Sequence, residues 1–451
     1  MSHGCNLSLI FGRLFFSVIL ALCAVIACPV GGLALEIQRV VSPGGIEAWL
    51  VEDHSIPIIA LSFVIPRGSY HDPEGKEGLS YLLSTTLDEG AGDLDSQAFR
   101  NEIDNRAIRI TFESSLDQFS GKLETLREFH GEAFNLLAIS MTKPRFDEEP
   151  VQRMKNAILT KIKRETATPG RIAELQLFKA AYGATRYGRP ANGTSETMSL
   201  LTSEDLRVFF QDHMALEGMK FGVVGDISAS ELEILLDRTF GNLKKNSSFA
   251  DVAEIELIEG PRAVMVELDI PQTEIRFAMK GLLRSDPDFI PAYVMNYVLG
   301  GGGFNSRLYD EVREKRGLSY SVYSHLHPFQ GTGVIVGGAA TRSNRSGITL
   351  NVITDVIAEM AANGPSEVEL SAAKRYLTGA YPLRFDSNSK IADQLVAIQF
   401  SDLGVDYINR RNSFINAVSI DDVRRVAARL LKPENMIVIV VGKKNLIRVD
   451  D

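Results

Sequence analysis

Apolar and polar positions alternate in the same way at two places in the chain. Leu61, Phe63 and Ile65 alternate behind Ile56-Pro57, and Ile275, Phe277 and Met279 alternate behind Ile270-Pro271. Residues two apart on a strand share a face, so each run predicts a strand with one face buried. Two continuous apolar runs, Phe221-Gly-Val-Val-Gly225 and Ile437-Val-Ile-Val-Val-Gly442, predict fully buried strands. Between the strands the apolar spacing becomes helical, over 152–164, 204–213, 348–362 and 367–377.

These elements come twice in one order. Thr202-Ser-Glu-Asp205-Leu206 matches Ser419-Ile-Asp-Asp422-Val423, and the spacing from Asp205 to Gly225 equals that from Asp422 to Gly442. Phe209 falls on Val426, Met214 on Leu431 and Met219 on Met436 without a gap. The expected fold class is therefore α+β, with two homologous repeats, each a mixed or antiparallel sheet covered by helices. The repeats span 35–241 and 262–451. The polar stretch 242–261, with Lys244-Lys245-Asn-Ser-Ser248, reads as their linker.

Composition narrows the picture only a little. At 451 residues the chain exceeds a single core, and 45% hydrophobic with 23% charged residues is ordinary for a folded protein. A net charge of −9 without a polybasic run argues against a nucleic-acid footprint.

The first 34 residues stand apart. Arg13 precedes an apolar run from Leu14 to Ala27, followed by Pro29, Gly31, Gly32 and Ala34, the layout of a signal peptide cleaved after Ala34. Val25-Ile-Ala-Cys28 also resembles a bacterial lipobox, which would make Cys28 a lipid anchor. An uncleaved anchor is the third reading. Either of the first two implies export, most simply to the periplasm. Cys5, Cys23 and Cys28 all lie in this segment, so the mature chain would hold no disulfide and no thiolate ligand.

Gly78-Leu-Ser-Tyr81-Leu-Leu-Ser84-Thr85-Thr-Leu-Asp-Glu-Gly90 resembles the first motif of the insulinase/pitrilysin family of zinc peptidases, the inverzincins. In that motif Gly-Leu-Ala runs into His-x-x-Glu-His on a helix. The two histidines share a face and hold zinc, and the glutamate is the general base. Here Tyr81 and Thr85 stand at the histidine positions and Ser84 at the glutamate position. The run from Phe146 to Ile162 resembles the helix with the third ligand, where Lys161 replaces a glutamate. An ammonium has no lone pair to give, and neutral hydroxyls are poor zinc ligands. The resemblance thus implies a degenerate site that binds no metal. His325 and His327, at strand spacing, are the closest pair of histidines, but no Asp or Glu stands at ligand spacing. A loop or surface role suits them better than a metal.

The run from Leu299 to Tyr320 resembles the family's C-terminal motif. There an arginine and a tyrosine, spaced as Arg313 and Tyr320 are, lie opposite the zinc and hydrogen-bond the substrate backbone. Read from spacing alone, Arg313 belongs on a solvated helix face and Tyr320 in a core. Gly301, Gly302 and Gly303 resemble a glycine stretch that leaves room for an extended peptide, with a plain turn as the alternative. Tyr187-Gly-Arg-Pro190 and Asn192-Gly-Thr194 resemble a further signature, with Thr185 and Arg186 in place of its histidine and proline, and read as structural.

By resemblance the two halves should face each other as a clamshell. The chain should be a zinc-free subunit that pairs with a zinc-bearing homologue, inactive alone, binding peptide and supplying Arg313 and Tyr320 in trans. Zinc would then sit in the partner. A structural or peptide-binding scaffold with no catalytic role is the alternative. A self-sufficient peptidase is a third, for which Ser84 and Thr85 lack a nearby histidine base in sequence.

Overall fold

The computed structural model describes residues 35–443 apart from 259 and 261. The segment read as a signal peptide, with its three cysteines, lies outside the described residues.

The N-terminal half opens with β1 (Gln38–Val41), β2 (Glu47–Glu52) and β3 (Ile58–Ile65), then α1 (Leu79–Ser84) and α2 (Ser96–Asp104). β4 (Arg109–Ser114), β5 (Phe119–Leu126), α3 (His130–Thr142), α4 (Glu148–Glu165) and α5 (Pro169–Tyr182) follow. It closes with α6 (Ser195–Leu200), α7 (Ser203–His213), β6 (Lys220–Gly225) and α8 (Ala229–Phe240). The C-terminal half runs β7 (Arg262–Glu267), β8 (Gln272–Lys280), α9 (Phe289–Asn296), β9 (Ser319–Pro328) and β10 (Gly333–Arg342). Then come α10 (Ser346–Asn363), α11 (Glu367–Gly379), α12 (Asn388–Phe400), α13 (Tyr407–Ala417), α14 (Ile420–Leu430) and β11 (Ile437–Gly442).

The sheets carry the repeat. The first has the order β1-β2-β6-β3-β5-β4 and the second β7-β11-β8-β10-β9. β6 runs parallel to β2 as β11 does to β7, and the other pairings are antiparallel in both. Apart from the extra β1, the two sheets correspond strand for strand in order and pairing sense. The alternating runs are β3 and β8, and the continuous runs are β6 and β11, each flanked by strands on both sides. The repeated Thr202/Asp205 and Ser419/Asp422 patterns prove to be capping boxes at the starts of α7 and α14. In each, hydroxyl and carboxylate satisfy backbone donors that the helix leaves unpaired.

A second repeated feature was not foreseen. Phe63 lies opposite Gly121 in the first sheet, and Phe277 lies opposite Gly337 in the second. A β-carbon at Gly121 would sit 2.3 Å from the Phe63 ring, and one at Gly337 2.1 Å from the Phe277 ring. In both halves a glycine makes room for the phenylalanine that fills the core.

Each half has its own hydrophobic core, but the halves also interlock. α12 of the C-terminal half packs on β6 and β3 of the first sheet, where Gln399 donates to the Phe221 carbonyl (2.9 Å) and Ser62 donates to Asp393 (2.9 Å). α5 of the N-terminal half packs on β11 and β8 of the second sheet, burying Ala173, Leu177 and Tyr182 against Ile437, Ile439 and Val441. The described residues from Ile37 onwards accordingly fall in one compact unit. Among its described residues the segment between the halves carries no strand or helix, and it lies pinned across them. Ala250 accepts a hydrogen bond from His71, Ile255 donates to Gly331, and Ile258 donates to Ala181.

Candidate functional site

The degenerate motif sits on α1. This short helix starts at Gly78, whose φ of +96° and closeness to the Asn192 carbonyl both require glycine. Buried Asp72 accepts from the Gly78 and Ser80 amides at 2.7 and 2.9 Å, capping the helix start. Burial nonetheless pushes its carboxyl up to about 8, against the pull of those amides.

Lys161, from α4, donates to the Tyr81 phenol oxygen at 2.7 Å, and its ammonium lies 4.9 Å from the Tyr81 ring centre. The structure thus joins two of the four degenerate positions, with a cation where a dication would be needed. Ser84 donates to the Tyr81 carbonyl and Thr85 to the Leu82 carbonyl, so both hydroxyls turn back on their own helix. The set does not fit zinc. Among the described residues no group of three or more His, Cys, Asp or Glu side chains is placed to hold a metal ion.

Arg313 and Tyr320 lie in the other half. The chain leaves α9 in a wide turn over Tyr297–Gly301, and a second wide turn covers Asp310–Glu314. Such i→i+5 turns widen a helix locally and often occur at functional sites. The Arg313 guanidinium sits 4.2 Å from the Tyr320 ring centre, 4.7 Å from Tyr309 and 5.7 Å from Phe304. Tyr320 is 80% exposed and Phe304 75% exposed, so the group is an outward-facing aromatic cage around one guanidinium. Among the described residues, the one carboxylate within 4 Å of it is that of Glu314, at 3.7 Å, beyond hydrogen-bonding distance. Tyr320 therefore does not occupy the core position that spacing alone suggested. Phe304 and Tyr309 were not singled out from the sequence; the aromatic at each end of the run 304–309 was the available signal.

The glycines play separate parts. A β-carbon at Gly300 would strike Ser324 of β9, one at Gly301 the Asn296 amide, and one at Gly302 the Tyr297 carbonyl. Gly303 alone has open space around it, with φ of +55°. Gly301 and Gly303 are exposed, but the stretch is coiled rather than extended. Among the described residues, no hydrogen bond, ion pair or ring contact joins the Arg313 cage to the Tyr81–Lys161 pair.

Tyr187, at the start of the 187–194 segment, stitches the halves together. The Tyr187 hydroxyl donates to Asp117 at 2.8 Å and accepts from the Gly331 amide at 2.9 Å, while the Gln330 amide donates to the same carboxylate at 2.7 Å. Arg186 donates to the Tyr70 and Asp72 carbonyls. Beside this junction lies a cavity of about 810 Å³, into which β9 turns Tyr323, His325 and His327. The two histidine rings are 6.1 Å apart, and burial lowers both of their pKa values.

Comparison with known proteins agrees with this geometry. A family profile described as insulinase (peptidase family M16) matches residues 48–195, and one described as peptidase M16 inactive domain matches residues 200–377. An uncharacterized zinc protease, YmxG, of Bacillus subtilis is 24% identical over 91% of this chain and 99% of its own length. A non-peptidase homolog, also YmxG, of Helicobacter pylori is 23% identical over 75% of this chain and 78% of its own. The crystal structure of a peptidase M16 inactive domain from Pseudomonas fluorescens superposes with a TM-score of 0.85 at 29% identity, covering 91% of this chain and 99% of that one. With both halves matched in order and the repeat fold shared, the chain belongs to the M16 (insulinase) peptidase family as an inactive peptidase homologue.

Proposed function

We propose that this chain is an exported, zinc-free subunit that docks on a zinc-bearing homologue and presents Arg313 and Tyr320 to the peptide being cut there. The observation that carries the reading is the outward-facing cage. Arg313 is held by three aromatic faces, and the Glu314 carboxylate at 3.7 Å makes no hydrogen bond to it, which leaves its N–H fork available to a ligand. A guanidinium so placed binds peptide carbonyls, and the exposed Tyr320 hydroxyl is a neutral donor suited to a developing oxyanion. Nothing in this half depends on a metal in this chain.

The test is reconstitution with a zinc-bearing homologue from the same genome. Each chain alone should be inactive and the mixture active. Arg313→Ala should lower turnover by roughly a hundredfold, the usual scale for losing one transition-state donor, while gel filtration shows the pair still assembled. Unchanged turnover would sink the proposal.

A scaffold with no catalytic role is the second reading. It is favoured by the relative described as a non-peptidase homolog. An absence of any neighbouring coding sequence with an intact His-x-x-Glu-His would shift the balance to it.

A further inference from the structure

A small cavity of about 230 Å³ in the C-terminal half is lined by Arg284, Arg384 and Arg411 and by no acidic side chain. Arg411 is 6% exposed, so its charge is almost wholly removed from bulk water. Its guanidinium stacks 4.1 Å from the Tyr381 ring centre, and Nη1 donates to the Leu377 carbonyl (3.0 Å) and the Asn412 side chain. Arg284 stacks 4.3 Å from the Phe289 ring centre and donates to the Tyr407 hydroxyl at 2.9 Å. Burial lowers the Arg284 pKa, and the Arg411 charge adds to that shift.

Among the described residues, none of the three forms an ion pair with a carboxylate. The contrast is local, since neighbouring Arg410 is paired with Asp406 at 2.7 Å. Arg411 is buried and Arg284 half-buried, with Arg384 exposed at the rim; two such like charges without a counter-ion cost folding free energy, and an anion bound between them would remove that cost. Stacking uses the faces of the guanidinium groups and leaves edge donors, the geometry that takes a carboxylate or phosphate. The remaining wall is mostly apolar, including Leu326, Ile398 and Leu403, with Gln394 and Ser401 adding polar side chains.

We propose that this cavity binds a small organic oxyanion, a carboxylate or phosphate ester on a compact apolar body. It lies where α12, which covers the other half's sheet, meets α9 and α13 of its own half. An occupant would therefore tie the exchanged helix to the body it comes from. The proposal is independent of the Arg313 cage.

Isothermal titration of the full chain with benzoate and with phenyl phosphate, at constant ionic strength, tests it. At least one should bind, and the tighter of the two identifies the head group. Arg284→Gln and Arg384→Gln should each weaken binding roughly tenfold or more, the scale of a lost charged hydrogen bond. Arg384 is exposed, so its variant should keep the wild-type circular dichroism and thermal midpoint. No binding of either probe, or binding that both variants retain, overturns the proposal.

Discussion

At the scale of single residues, the lost metal site is a matter of which atoms have lone pairs and where their protons go. Lys161 brings a positive charge to Tyr81, and the Ser84 and Thr85 hydroxyls are committed to carbonyls of their own helix. Three changes, at Tyr81, Thr85 and Lys161, separate this site from a ligand set, and a fourth, at Ser84, from a general base, so no single reversion should suffice. Tyr81→His, Ser84→Glu, Thr85→His and Lys161→Glu together should gain a bound zinc by elemental analysis, whereas Lys161→Glu alone should gain none. Zinc uptake by that single variant would show that another residue completes the site. These four positions were picked out through the family motif the chain resembles, and the donor chemistry of their side chains could then be read directly. The cage around Arg313 was not legible in this way, because it depends on two wide turns that bring Phe304 and Tyr309 back onto the guanidinium.

Among the elements, the repeat makes paired expectations. Gly121→Ala and Gly337→Ala should each destabilise the chain by about 1–3 kcal/mol or more, since each drives a β-carbon into a buried phenylalanine ring. Thr202→Ala and Ser419→Ala should each cost about 1 kcal/mol through a lost cap. Chemical denaturation measures all four, and a wide disparity within either pair would contradict the equivalence of the halves.

The turn carrying Arg313 is held by a second device. Arg307 makes a bidentate pair with Glu369 at 2.6 and 2.8 Å, and the hydrogen bond to Arg307 is the main cause that lowers the Glu369 pKa to about 2. A depressed carboxylate stabilises the fold above its unfolded value near 4.5 and loses that contribution as pH falls towards 2. Hydrogen exchange of residues 303–314 should therefore speed up, relative to the core strands, below about pH 4.5. Glu369→Gln should show the faster exchange already at neutral pH. Strand existence and caps could be read from spacing; the register that sets Phe63 against Gly121 could not, because alternation marks a face and not a partner.

For the whole molecule, the exchange of α5 and α12 between halves joins what the sequence divides. An amphipathic helix shows that one face is buried but not which sheet buries it, so 242–261 reads as a boundary although the packing crosses it twice. Calorimetry should accordingly show one cooperative transition for residues 35–443. Asp117→Ala, which leaves the Tyr187 hydroxyl and Gln330 amide without their acceptor, should lower it by about 1–3 kcal/mol without splitting it. Two resolved transitions would mean that the halves fold separately.

The claim on which the rest depends is that an M16 fold persists here around a site that no longer takes a metal. Equilibrating the purified chain with excess zinc, desalting it and counting bound metal addresses this directly. The expected result is no zinc retained by the wild-type chain. One equivalent per chain, lost on substituting Tyr81 or Lys161, would contradict it.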